Sequence, residues 1–123
     1  MKKEFIPYEQ ALELKELGFD EPCLSYYEGE SFSYHLQSMT SGDDYIIPAP
    51  LYQQAFRWFR DKKGLHGIYT MGDDWNSFYW QIWRNDTMTK TYVCSSDLVY
   101  ETYEEAELAC LKKLIEIVKN KQP

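Results

Sequence analysis

Near the end of the chain, apolar residues recur at helical spacing. Tyr103, Ala106, Cys110, Leu111, Leu114, Ile115, Ile117 and Val118 fall on one side of a helix predicted from Thr102 to about Lys121. A stripe that wide predicts burial along most of one side, against a sheet. Thr102 and Glu105 have the spacing of a capping box, in which the hydroxyl accepts from the N3 amide and the carboxylate reaches back to the cap amide. Glu104 and Glu107 come early and Lys112, Lys113, Lys119 and Lys121 late, so charge runs with the helix dipole.

The rest of the pattern divides into two further helices and several short strands. Residues 7–17 read as a helix with Pro7 at its first position and Gly18 as the left-handed residue beyond it. Tyr8, Ala11, Leu12 and Leu14 give it an apolar face that Lys15 interrupts, and Phe19 closes over its end. Leu24–Glu28 and Phe32–Gln37 alternate as strands of a hairpin around Gly29-Glu30-Ser31. Pro48-Ala49-Pro50 leads into a helix over Leu51–Lys63, ended by Gly64. There Leu51, Tyr52, Ala55, Phe56, Trp58 and Phe59 share one face, and Gln53, Arg57, Arg60 and Asp61 cover the other. Leu65–Met71, Ser77–Arg84 and Thr89–Cys94 read as strands joined by turns at Gly72-Asp73-Asp74 and Asn85-Asp86-Thr87.

The predicted order is α-β-β-α-β-β-β-α. It defines an α+β fold, with one antiparallel sheet of about four to five strands packed by three helices in a single domain, residues 1–123. Tyr8-Glu9-Gln10-Ala11 and Tyr52-Gln53-Gln54-Ala55 each follow a proline and open a helix. The echo raises a duplicated α-β-β unit, but four positions are too few to establish one.

Composition sharpens this picture. A chain of 123 residues can bury roughly two-thirds of its unfolded surface. Eleven Tyr, six Phe and four Trp supply a core and leave rings over for a surface. No stretch approaches the roughly 18 continuous apolar residues that span a bilayer, and Met1-Lys2-Lys3-Glu4 does not open a signal peptide. A soluble, cytoplasmic protein without a membrane partner is expected. The three cysteines, Cys23, Cys94 and Cys110, lack CxxC spacing and read as free thiols. A net charge of −7 opposes binding to a phosphate backbone and accords with an acidic surface offered to a basic partner.

Little in the chain has the spacing of a catalytic site. Asp43-Asp44 and Asp73-Asp74 lie beside glycine, where acidic residues serve turns more often than Mg²⁺ or Ca²⁺. His35 and His66 belong to no metal or catalytic pattern, and GxSxG, Walker and GxGxxG motifs are absent from the sequence. No cofactor or metal is implied. Pairing His66 with Cys94 across a sheet has no support in the spacing. Glu107 falls inside the apolar stripe of the last helix, where burial would raise its pKa unless it reaches water at the stripe's edge.

The strand of strongest aromatic character carries the candidate site. Alternation puts Phe78, Trp80 and Ile82 on one face and Ser77, Tyr79, Gln81 and Trp83 on the other. The first set suits the core. The second would be exposed unless a helix covers it, which makes Trp75, Tyr79, Trp83 and Tyr92 the candidate partner-binding residues.

The segment Glu4-Phe5-Ile6-Pro7-Tyr8-Glu9-Gln10-Ala11, running to Leu17-Gly18-Phe19-Asp20-Glu21-Pro22-Cys23, resembles the opening of small uncharacterised proteins from Bacteroides-type gut bacteria and their phages. Ala49-Pro50-Leu51-Tyr52-Gln53-Gln54-Ala55-Phe56-Arg57-Trp58-Phe59-Arg60 and Thr102-Tyr103-Glu104-Glu105-Ala106-Glu107 through Val118 resemble that group too. The resemblance covers about half the chain and implies a phage or mobile-element setting without any activity. Two functions are therefore expected. The first is a non-catalytic acidic module that binds a protein, or itself as a dimer, through the aromatic face and its acidic rim. The alternative is a small-ligand binder or minor enzyme, with His66 or His35 meeting Asp73, Asp74 or Glu107 in a pocket.

Overall fold

The structure, a computed structural model, describes residues 4–39, 46–72, 77–85, 90–96 and 99–121. Its elements are α1 (Tyr8–Glu16), β1 (Cys23–Glu28), β2 (Ser31–Met39), β3 (Ile46–Pro48), α2 (Tyr52–Lys63), β4 (Leu65–Met71), β5 (Phe78–Asn85), β6 (Lys90–Ser95) and α3 (Tyr103–Lys121). They group into two compact units, Met1–Ala55 and Phe56–Pro123, with the boundary inside α2.

In the first unit Pro7 is the N-cap of α1, extended at φ −61° and ψ 158°, one position earlier than its sequence position promised. The C-terminus closes as a Schellman motif. Phe19 N–H donates to Leu14 O at 3.0 Å, Gly18 N–H donates to Lys15 O at 3.1 Å, and Gly18 takes φ 103°. Phe19 and Leu14 are both fully buried, which supplies the motif's apolar contact. β1 lies between β2 and β3, antiparallel to each. Its residues alternate in burial: Cys23, Ser25 and Tyr27 point inward, where Ser25 Oγ donates to Ala49 O at 2.9 Å and Tyr27 Oη to Ile6 O at 2.8 Å.

The second unit is an antiparallel meander, β4-β5-β6, with α3 packed on β4 and β5. Thr102 caps α3 as its sequence predicts, accepting from Glu105 N–H at 3.1 Å. The return bond differs from the expected one: Glu105 Oε1 takes the Thr102 hydroxyl hydrogen at 2.9 Å. Ala106, Cys110, Leu111, Leu114, Ile115 and Val118 are buried along the helix, whereas Tyr103 stays exposed. Gly67 on β4 lets the Phe56 ring of α2 and Cys110 of α3 approach closely. A Cβ there would lie 2.7 Å from Phe56 Cε1 and 2.9 Å from Cys110 Sγ.

The α+β class and the three helices hold, but the single sheet of about four to five strands does not. Among the described residues there are two sheets of three strands, and the order is α-β-β-β-α-β-β-β-α. The added strand, Ile46-Ile47-Pro48, is too short to show alternation, and its proline suits the sheet-edge position that β3 occupies. The helix-plus-three-strands order occurs twice, yet the two halves are wired differently. The first strand is central in one sheet and the second strand in the other. The matching helix starts therefore do not extend to matching topology.

Candidate partner-binding face

The meander has two unlike faces, and β-strand alternation assigns each residue to one of them. Leu65, Gly67 and Tyr69 on β4 pair with Arg84, Ile82 and Trp80 on β5. This is the α3 side, where Leu65, Trp80 and Ile82 are buried and Tyr69 reaches Glu107. His66, Ile68 and Thr70 pair with Trp83, Gln81 and Tyr79 and form the opposite side. Trp83 pairs onward with Tyr92 of β6, the two rings meeting edge-on with centroids 5.5 Å apart.

On that opposite side Ile68 is 47 % and Tyr92 49 % exposed, and Tyr79, Gln81 and Trp83 are half-buried. Tyr79, Trp83 and Tyr92 thus share the face that α3 does not cover. Trp75 lies outside the described residues. Trp83 Nε1 donates to Gln81 Oε1 at 3.4 Å, and Tyr92 Oη and Ser95 Oγ lie 2.6 Å apart, so the polar tips are tied down within the face. The same face holds an open concavity of about 300 Å³ lined by His66, Ile68, Gln81 and Trp83. Ile68 and Gln81 escaped the sequence reading as lining residues because only the β4–β5 register puts them opposite each other.

Of the groups expected in a catalytic pocket, the two whose side chains are described lie on opposite faces of the meander. His66 lines the concavity, whereas Glu107 is on the α3 side, across the sheet. Cys94 pairs with Ile82 and so also faces α3. His66 therefore lies on the opposite face of the sheet from Glu107 and Cys94, while Asp73 and Asp74, and the side chain of His35, fall outside the described residues. Among the described residues no three His, Cys, Asp or Glu are placed to hold a metal ion, and no helix is long and apolar enough to cross a membrane.

Glu107 is perturbed all the same. Burial, with Glu104 adding to it, holds its carboxyl above the ordinary range, and the Tyr69 hydroxyl opposes this by donating to Oε2 at 2.6 Å. Burial and that same carboxylate push the Tyr69 phenol up. The thiols of Cys23 and Cys110 are pushed up to about 12, chiefly by burial. No family model, curated protein or solved structure matches this chain.

Proposed function

We propose that the protein is a non-catalytic interaction module that docks an apolar protein surface, in the first instance a second copy of itself, on the open face of β4-β5-β6. The observation that carries this reading is the one-sided cover of the meander: α3 lies on one face, leaving Ile68, Tyr79, Trp83 and Tyr92 together on the other. Aromatic side chains held by cross-strand neighbours lose little freedom on binding and anchor interfaces well. Charge is no obstacle locally, since residues 56–123 contain ten Lys/Arg and ten Asp/Glu. The phage or mobile-element setting implied by the sequence resemblance belongs to the same proposal.

Size-exclusion chromatography with light scattering on wild type and on Tyr79→Ala/Trp83→Ala tests it. A wild-type dimer and a variant that is monomeric with an unchanged circular dichroism spectrum are the expected result. A wild type that stays monomeric at every concentration, with Tyr79 and Trp83 shielded from hydroxyl-radical labelling, overturns the reading.

A further inference from the structure

The protein's net charge is not spread over the chain. Residues 1–55 hold ten Asp/Glu against three Lys, so the whole excess of −7 belongs to the first unit. Glu4, Glu9, Glu16, Asp20, Glu28 and Glu30 are exposed there, and Lys15 directs its Nζ to Ile46 O at 3.0 Å. A unit so charged repels nucleic acid and anionic membranes and raises the local concentration of cations.

The same unit offers a surface on which a partner could settle. Opposite the buried Cys23, Ser25 and Tyr27, β1 presents Leu24, Tyr26 and Glu28, with Leu24 52 % exposed. In register beside them on β2 are Ser33, opposite Tyr26, and Ser31, opposite Glu28. Buried Pro48 bounds the strip on the β3 side, and Glu30 extends its acidic end in the hairpin loop. An aliphatic side chain, a ring and a carboxylate thus succeed one another every second residue along one strand. This spacing suits an extended segment that alternates apolar and cationic side chains: apolar groups against exposed Leu24, beside half-buried Tyr26, and a Lys or Arg at exposed Glu28 and Glu30.

We infer that this outer face of the β1–β2 hairpin is a second docking surface, and that its partner is a Lys/Arg-rich, partly apolar segment of another protein. The inference is independent of the aromatic face, because the two surfaces belong to different units and differ in charge.

The test is fluorescence anisotropy on the full chain with a labelled peptide of alternating Lys and Leu, and with its Glu–Leu counterpart. The Lys–Leu peptide is expected to bind, to weaken as NaCl rises from about 50 mM to about 500 mM, and to perturb the amides of Leu24, Tyr26 and Glu28. Glu28→Lys/Glu30→Lys should weaken it by about fivefold or more, and Leu24→Ala by a smaller factor. Glu9→Lys/Glu16→Lys changes the charge of the unit equally, but on α1, and should cost much less. Equal losses from the hairpin and α1 pairs would reduce the effect to diffuse attraction and overturn the proposal. So would equal binding of the Glu–Leu peptide, or no binding of either. Tyr79→Ala/Trp83→Ala should leave this binding intact, so failure of one surface is distinguishable from failure of the other.

Discussion

Glu107 shows how far a single position can be read without coordinates. Its place in the apolar stripe of α3 marks it as a carboxylate at risk of burial, and it is half-buried with a raised pKa. Its partner, Tyr69, is 38 positions away and nothing local announces the pairing. The sign of the effect on stability follows from the direction of the shift. The folded state holds the Glu107 proton more tightly than the unfolded chain does. That contribution is fully present below the ordinary value of 4.5 and is lost as pH rises through the elevated folded value. Urea unfolding of Glu107→Gln across this window should therefore show a flatter pH dependence than wild type. Tyr69→Phe removes the donor that opposes the shift, so the loss should move to higher pH, with about 1 kcal/mol of stability lost at neutral pH.

Among the elements, those with strong periodicity and marked ends were legible and the short one was not. β4 has the predicted bounds, and α2 and α3 each begin one residue later than expected, because capping and proline punctuation fixed their ends. β3 was missed, since three residues with a proline carry no period. How α3 sits on β4 was also hidden: Gly67 looks like an ordinary strand glycine until Phe56 and Cys110 are found against it. Gly67→Ala should accordingly destabilise by about 1–3 kcal/mol, read as a lower urea midpoint at unchanged m-value. A neutral result would mean that Phe56 and Cys110 move aside freely.

At the level of the whole molecule, the division into two sheets could not be read because strand pairing is non-local. Alternation says which residues share a face, but not which strands share hydrogen bonds. The candidate face was legible in part. Tyr79, Trp83 and their side of β5 followed from alternation, while the β4 residues and the concavity required the register. The cysteines give a global check on the packing. Buried Cys23 and Cys110, with their thiols pushed up to about 12, should resist a thiol reagent in the folded protein, and half-buried Cys94 should react first. Folded protein should thus show one fast thiol, with the remaining two released only on unfolding. Three equally fast thiols would contradict the burial of α3 against its sheet.

The boundary between the units falls between Ala55 and Phe56, inside the uninterrupted α2. Ala55 and Phe56 are both buried, and the Phe56 ring meets that of Tyr69 at a tilt of 46°, with centroids 5.1 Å apart. A gene cannot be cut cleanly at that boundary. A terminus placed at that boundary would split a helix between two pieces, each too short to hold its share of turns unaided. Any split-protein reassembly, domain transplant or tandem arrangement that keeps either half must carry all of Tyr52–Lys63 with it. The same continuity gives a protease no loop to nick at the place where the two halves of the chain part company.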